Sequence, residues 1–358
     1  MSDKKKICFV LDLIPAHPMG GVKIIFKYAN HFAEMGNDVC ITFTSSFIGS
    51  LKNYLPYKVR KGLVQLYLYR GPYWFKLHDS VKRLCIDRID DNNVPDADVV
   101  FATAVTTAES VAGLSAKKGK KFYLIQDYEN WAGGNDYVNM TYCLGMHNIV
   151  IADWLYDKVF QASKILPTLI RNPIDTKVFR VTIPPQNRNK HSIAMICQRD
   201  ERKGFTYGLN AIKEIKRIVP DLACTIFGIS KRGEDIPTWI TYKQNATEMD
   251  LVQIYNSSAI FLCSSTSEGY GLCGAESMAC GCALVSTDYE GVYSYARDKV
   301  NALLSPVKDV DGLVQNVLKL FGDNEYRISI ALRGNKDILQ TSWENAFRIM
   351  DQTVDVRL

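Results

Sequence analysis

Two glutamates flank a glycine-rich turn in the second half of the chain. The segment 264–281 follows an apolar, strand-like run that ends at Cys263, and its glycines precede a helix-like pattern. Backbone N–H groups at the start of such a helix bind phosphate or diphosphate. Glu268 and Glu276 would repel a phosphate directly above them, but carboxylates accept hydrogen bonds from sugar hydroxyls. The segment therefore predicts a nucleotide diphosphate sugar as ligand. The alternative is that Glu268 is a turn residue and Glu276 a partner of the helix dipole.

A second candidate site lies earlier, on a loop that carries Arg199 and Lys203. This loop follows an apolar, strand-like run at 192–197. Arginine can bind two phosphate oxygens at once, and lysine supplies a point charge. Both residues are therefore predicted to bind the donor phosphates. The alternative is a solvated charge cluster, because Asp200 and Glu201 lie between them.

The elements that must position these residues follow a repeating pattern. Short apolar runs of strand length alternate with stretches of helical periodicity, as in the strand predicted at 7–13 and the helix predicted at 22–35. Such alternation predicts an α/β fold with doubly wound parallel sheets. A polar stretch at 181–190, which contains two prolines, divides the pattern. We therefore predict two Rossmann-like domains that face a cleft, where ligands meet the carboxyl ends of the strands.

Composition excludes several classes of protein. The 358 residues are 47% hydrophobic and 23% charged, which rules out a disordered chain or a coiled-coil rod. No apolar run approaches the ~18 residues of a membrane-spanning helix.

The sequence also predicts that no metal site is present. The ten cysteines show no paired CxxC spacing and the five histidines are scattered, so we expect no zinc site. We also expect no cofactor, and a reducing, cytoplasmic location for so many unpaired cysteines. The acids in Asp96-Ala97-Asp98 precede an apolar strand and are interpreted as sheet-edge residues, with no metal bound.

The stretch 52–84 interrupts the alternating pattern. It contains eight Lys and Arg residues against one acid, a net charge of +7, with aromatic residues between them. One interpretation is a solvated insertion. Another is an interface for an anionic membrane surface or a polyanionic acceptor. Nucleic acid is not the expected partner, because the net charge of the whole chain is only +5 and such a role would leave the glutamate segment unexplained.

The interval between Glu268 and Glu276 resembles the EX7E motif of retaining glycosyltransferases with the GT-B fold, especially family 4 (glycosyltransferase group 1). The resemblance covers nearly the whole chain. It further includes Gly20-Gly21 after the first strand, Asn172-Pro173-Ile174-Asp175 with Phe179, the basic loop 199–204, and Trp343-Glu344.

This resemblance implies a fold and a reaction. The domains would be an acceptor-side domain at 1–180, a nucleotide-sugar domain at 181–340, and a C-terminal helix at 341–358 that returns to the first domain. The activity would be a hexosyltransferase reaction that retains anomeric configuration, needs no metal, and moves a sugar from a nucleotide diphosphate to a hydroxyl of a glycan or lipid-linked glycan. Bacterial surface polysaccharide synthesis on the inner face of the membrane is the implied setting.

The same resemblance assigns roles to individual residues. Glu268 would hold the donor sugar and its oxocarbenium-like transition state, and Glu276 the ribose hydroxyls. Arg199, Lys203 and the helix start would stabilise the leaving diphosphate. The implied donor-binding set is Gly20, Gly21, Arg199, Lys203, Gly271, Leu272, Cys273 and Glu276.

One departure concerns the acceptor side. Many family members carry a histidine after the strand that corresponds to residues 122–125, and here the sequence is Gln126-Asp127-Tyr128-Glu129. Asp127 is therefore predicted as a second catalytic residue, with Glu129 as another acceptor-binding or base candidate. The alternative is an exposed loop acid. Other functions compatible with the architecture are a nucleotide-sugar epimerase or phosphorylase, and a catalytically inactive partner subunit.

Overall fold

A computed structural model describes residues 4–44 and 56–355. The chain divides into two compact units. Unit 1 contains the residues up to Arg171 and those from Phe347 onward, and unit 2 contains Asn172–Ala346. The domain limits expected from the sequence lie at 180/181 and 340/341. Among the described residues, no helix combines the length and apolar character needed to cross a bilayer.

Unit 1 is built on a seven-stranded parallel sheet. The strand order is β3-β2-β1-β4-β5-β6-β7, so the direction of winding reverses between β1 and β4. Phe9 of β1 stacks on Phe101 of β4 in the buried centre, with 4.6 Å between ring centroids. The strands are β1 Lys6–Leu11, β2 Asp38–Thr44, β3 Lys82–Ile86, β4 Val99–Ala102, β5 Lys120–Ile125, β6 His147–Val150 and β7 Thr168–Leu169. The helices are α1 Gly20–Glu34, α2 Tyr57–Arg70, α3 Val105–Ala112, α4 Gly134–Thr141 and α5 Asp153–Ser163.

Unit 2 repeats this topology with six parallel strands. Their order is β10-β9-β8-β11-β12-β13, and the winding reverses between β8 and β11. The strands are β8 Ser192–Cys197, β9 Ala223–Gly228, β10 Thr241–Gln244, β11 Ile260–Cys263, β12 Ala283–Thr287 and β13 Ala302–Ser305. The helices are α6 Phe205–Ile218, α7 Glu248–Ser257, α8 Leu272–Ala279, α9 Val310–Gly322 and α10 Asn324–Ile338, followed by α11 Trp343–Val354. The predicted pair of doubly wound parallel sheets is confirmed.

The segment 181–190, predicted as a linker, packs into unit 2 through a buried arginine. Arg188 donates hydrogen bonds to the carbonyl oxygens of Tyr255 and Ser258, each at 3.0 Å, and to that of Ile183. Burial lowers the pKa of the Arg188 guanidinium. A buried cation without such acceptors would be strongly destabilising, so these carbonyls hold the segment against the domain.

Helix α11 is attached to unit 1 by an aromatic and polar contact. The His31 ring of α1 stacks on Phe347 with 3.9 Å between centroids, and its Nε2 atom lies 2.9 Å from Asp351 Oδ1. Met350 and Val354, one helical turn apart, are fully buried. An apolar stripe at this spacing is what docks an amphipathic helix.

Replacing Met350 with Ala is therefore expected to lower the free energy of unfolding by about 2–5 kcal/mol, the usual range for a buried Met→Ala change. Chemical denaturation followed by circular dichroism measures it. The matched control is Gln352→Ala on the exposed face of the same helix, expected to change stability by less than about 0.5 kcal/mol. Equal effects of the two changes would show that α11 is not docked through this stripe.

Candidate active site

The topology of unit 2 brings the two predicted loops together. The loop 198–204 follows β8 and the loop 264–271 follows β11, and these two strands are neighbours. Parallel strands end at the same edge of a sheet, and the reversal of winding leaves a crevice there that commonly binds ligands. Residues more than 60 positions apart in sequence are thus placed at one topological switch point.

Lys203 and Glu268 form an ion pair across this point. Lys203 Nζ lies 3.1 Å from Glu268 Oε2, with the two side chains 26% and 15% exposed. The Ser265 hydroxyl donates a hydrogen bond to the other carboxylate oxygen, Oε1. The structure therefore joins two residues for which the sequence predicted separate contacts, one with phosphate and one with sugar.

Backbone hydrogen bonds hold the same two loops in register. The Thr266 N–H donates to the Arg202 carbonyl at 2.7 Å, and the Ser264 hydroxyl donates to the Gly204 carbonyl at 2.9 Å. Gly204 adopts the left-handed conformation, with φ +57°, and a Cβ there would lie 1.9 Å from the Ser264 carbonyl oxygen. A side chain at position 204 is thus excluded, and the loop can close tightly under Lys203.

The start of α8 depends on a buried pair of tyrosines. Gly271, with φ +93°, precedes the helix, and its carbonyl accepts a hydrogen bond from Tyr295 Oη at 3.0 Å. Tyr295 in turn lies 2.8 Å from the hydroxyl of Tyr289. Burial raises the pKa values of both hydroxyls well above their ordinary value, so both remain neutral donors. Neither tyrosine is among the residues predicted from the sequence.

The remaining predicted residues of this segment lie on α8. Leu272 and Cys273 are half-buried in its first turn, and the Glu276 side chain is buried one turn later. Burial and the neighbouring Glu276 raise the pKa of the Cys273 thiol, which therefore stays neutral. At this position the thiol is a small apolar group, and the backbone N–H groups of the first turn carry the positive end of the helix dipole.

Arg199 is not paired with Glu268. Its guanidinium holds both carboxylate oxygens of Asp235, at 2.8 and 2.7 Å, and stacks on the Phe205 ring at 4.7 Å. The hydrogen bonds from Arg199 lower the pKa of the Asp235 carboxyl. A Cβ at Gly233 would lie 2.3 Å from Arg199 Nη2, so this glycine makes room for the arginine. Phosphate binding by Arg199 stays a prediction, and Asp235 would compete with the anion for the guanidinium donors.

Arg199 also lines a cavity of about 510 Å³ beside the loop 198–204. Arg202, Lys308, Thr266 and Tyr207 contribute to its wall. Arg202 is ion-paired with Asp200 at 2.7 Å. Lys308, on the loop that follows β13, carries no local signal that could have identified it from the sequence. The cations Arg199, Arg202 and Lys308 line the cavity together with the acids Asp200 and Glu201, so the cavity contains donors for an anionic ligand.

The predicted residues of unit 1 lie at its own sheet edge. Gly20 and Gly21 are the first residues of α1, and a Cβ at Gly21 would lie 3.3 Å from the Gln126 amide. The Asp127 carboxylate accepts a hydrogen bond from the Tyr128 N–H at 2.9 Å. Glu129 instead accepts from the Val105 N–H at 2.6 Å and caps α3. The roles of Gly20, Gly21 and Asp127 in binding or catalysis stay predictions.

The acids of the Asp96-Ala97-Asp98 sequence have structural partners. Asp96 pairs with Lys118 at 2.7 Å, and the Asp98 carboxylate accepts from the Lys6 N–H at 2.7 Å. Across residues 4–44 and 56–355, no group of three or more His, Cys, Asp or Glu side chains is arranged to hold a metal ion.

Parts of the chain are similar in sequence to known glycosyltransferases. Residues 182–337 match the family described as glycosyl transferases group 1. The O-antigen chain mannosyltransferase B of Escherichia coli is 30% identical over 107 residues, which are 30% of this chain and 28% of that protein. A Campylobacter jejuni enzyme, N,N'-diacetylbacillosaminyl-diphospho-undecaprenol alpha-1,3-N-acetylgalactosaminyltransferase, is 29% identical over 91 residues, 25% of this chain and 24% of that enzyme. The chain thus spans less than a third of the length of either relative.

The solved structure of Anabaena Alr3699/HepE in complex with UDP-glucose superimposes with a TM-score of 0.74. It covers 99% of this chain and 100% of that chain at 14% sequence identity. This likeness shows the fold, which is GT-B. The predicted resemblance to group 1 glycosyltransferases with the GT-B fold is therefore confirmed, whereas membership of family 4 and the function of the EX7E motif stay predictions.

Replacing Gly271 with Ala tests the tyrosine-supported helix start. The new Cβ would lie 2.0 Å from Tyr289 Oη in a backbone region that L residues rarely adopt, so we expect a loss of stability of at least about 1–3 kcal/mol. The control is Gly322→Ala, where nothing lies within 4 Å; its stability should stay the same or rise by up to ~1 kcal/mol. Thermal melts of both variants measure the difference, and a Gly271→Ala protein as stable as the control would contradict the arrangement.

Proposed function

We propose that the chain is a retaining, metal-independent glycosyltransferase that moves a sugar from a nucleotide diphosphate donor to a hydroxyl of a glycan or lipid-linked glycan. The observation that carries this proposal is the Lys203–Glu268 pair at the switch point of unit 2, beside the start of α8. A cation for phosphate and a carboxylate for sugar hydroxyls lie side by side, as a nucleotide sugar requires. The group 1 match over the same unit supports it.

In the proposed reaction the leaving group is the nucleoside diphosphate. The bond between the anomeric carbon and the diphosphate oxygen breaks, and the acceptor oxygen forms the new bond from the same face. The proton of the acceptor hydroxyl passes to the departing diphosphate. Lys203, with the N–H groups of the first turn of α8, stabilises the charge that develops on that diphosphate. Arg199 stabilises the same charge when the diphosphate takes the place of the Asp235 carboxylate beside its guanidinium.

The two glutamates have different tasks in this scheme. Glu268 contacts the sugar, where positive charge develops, and its ion pair with Lys203 loosens as Lys203 turns to the phosphate. Glu276, buried on α8, accepts hydrogen bonds from the ribose hydroxyls. Asp127 of unit 1 is proposed to bind the acceptor hydroxyl.

The proposed acceptor is a lipid-linked glycan of a bacterial surface polysaccharide, reached at the cytoplasmic face of the membrane. The support comes from two relatives. The name of one places it on the O-antigen chain, and the name of the other includes a diphospho-undecaprenol acceptor.

The first test is a panel of nucleotide sugars and free nucleoside diphosphates, screened by thermal shift. A ligand at 100 times its dissociation constant should stabilise the fold by ~2.7 kcal/mol, and EDTA should leave donor turnover unchanged. Loss of turnover with EDTA and its recovery with Mn²⁺ would contradict metal independence. Epimerised donor formed without any acceptor would identify an epimerase, and failure of every nucleotide to bind would indicate an inactive partner subunit.

The second test separates the glutamates. Glu268→Ala should mainly lower kcat, because its contact strengthens as charge develops on the sugar. Glu276→Ala should mainly raise the donor KM, because ribose binding changes little during the reaction. The control is Glu290→Ala, an exposed acid in the same unit, which should change neither constant. Exchanged effects would swap the two roles, and unchanged turnover in both variants would remove this segment from the site.

A further inference from the structure

Helix α2 is apolar on two opposite faces. Val64 and Leu68 are buried on the side that faces the sheet. Val59, Leu63 and Leu66 lie on the opposite side and remain 47%, 49% and 49% exposed. The spacings of four and three residues place these three in one row. A solvent-facing helix surface is normally polar, so this row, called the outer row of α2, needs an explanation.

Two exposed tyrosines extend the apolar surface. Tyr69, at the end of α2, is 78% exposed, and Tyr73, in the segment that follows, is 74% exposed. Tyrosine combines an apolar ring with a polar hydroxyl and is enriched where one end of a side chain is in an apolar phase and the other in water. Tyr69 lies three residues after Leu66 and is therefore its neighbour on the helix, and the Tyr73 ring lies 5.8 Å from the ring of Tyr67 on the same helix.

The helix is firmly anchored on its inner side. The Gln65 amide donates to the Arg83 carbonyl at 2.8 Å and accepts from the Cys85 N–H at 2.9 Å, which ties α2 to β3. Trp74 Nε1 donates to the Pro15 carbonyl at 3.0 Å, and its ring stacks on Phe26. The orientation of α2 is therefore fixed by these contacts, and the outer row cannot turn inward without breaking them.

The charges around α2 are largely accounted for within unit 1. Lys61 pairs with Asp87 and Lys82 with Asp38, each at 2.9 Å. Arg83 donates to the carbonyls of Leu68 and Gly71 at 3.2 and 2.9 Å. The excess of +7 predicted to face a partner is thus partly neutralised, and part of it, Lys52 included, lies outside the described residues. Lys58 and Lys76 are exposed, and α2 contains no acid.

We propose that the outer row of α2, with Tyr69 and Tyr73, inserts into the headgroup region of an anionic lipid bilayer. Half-exposed aliphatic side chains supply the apolar contact, and the exposed lysines supply attraction to anionic lipid. The absence of acids from α2 removes the repulsion that would oppose it. This attachment goes beyond the proposed sugar transfer and would bring the enzyme to a lipid-linked acceptor, but it does not depend on that activity.

The experiment is sedimentation of the full chain with vesicles of phosphatidylcholine and phosphatidylglycerol, compared with phosphatidylcholine alone. The wild type should bind the anionic vesicles at low salt and be released several-fold by high salt. The double variant L63S/L66S should lose at least tenfold in partition coefficient, because two inserted apolar groups are removed. The matched control is I165S/L166S, which changes two apolar residues of unit 1 that are 66% and 64% exposed and should bind as the wild type does.

Several results would overturn the proposal. One is a wild type that ignores anionic vesicles at low salt, and another is L63S/L66S protein that binds as strongly as the control. If the wild type instead forms a dimer that L63S/L66S abolishes, the row is a contact between copies of this chain. Circular dichroism and donor hydrolysis without membrane should be unchanged in L63S/L66S. Failure of sugar transfer would be seen in that hydrolysis assay and not in sedimentation, so the two proposals fail separately.

Discussion

The ion pair between Lys203 and Glu268 is the interaction on which the site of unit 2 depends. Both side chains are mostly buried, and a charge left there without its partner would be costly to desolvate. The pair therefore gives each charged group a partner and aligns the two side chains while no ligand is bound. An incoming diphosphate offers Lys203 a second anion, and an incoming sugar offers Glu268 hydroxyl donors. The same contact can thus be replaced by the ligand with little loss.

The rest of unit 2 supports this pair at close range. The reversal of strand order between β8 and β11 places the two loops at one edge. Gly204 and Gly291 then let the backbones approach, since a Cβ at 291 would lie 2.4 Å from the Glu268 carbonyl oxygen. The Tyr295 hydroxyl, which is hydrogen-bonded to that of Tyr289, fixes the start of α8 by donating to the Gly271 carbonyl. The site is positioned by backbone shape as much as by charged side chains.

Much of the fold and part of the candidate site could be predicted from the sequence. The other features could not, for physical reasons that differ from residue to residue. Alternating apolar runs identify parallel strands because both faces of such a sheet are buried, and the glutamate segment is contiguous, so both were found. Helix α2 was missed because apolar residues on two faces cancel its amphipathic pattern. Asp235, Tyr289 and Tyr295 were missed because their partners, Arg199 and Gly271, are brought to them only by folding. Glu129 stays a binding candidate, and its hydrogen bond from the Val105 N–H at the start of α3 could not be predicted because only folding brings the two residues together.

The most direct test of the central claim is a double-mutant cycle on donor kcat/KM, with Lys203→Met, Glu268→Gln and the two combined. If the pair organises the site, the effects of the two changes are coupled, and the combined loss should differ from the sum of the single losses by at least about 1 kcal/mol of coupling free energy. Losses that add to within ~0.5 kcal/mol would show that Lys203 and Glu268 act independently and would contradict this account.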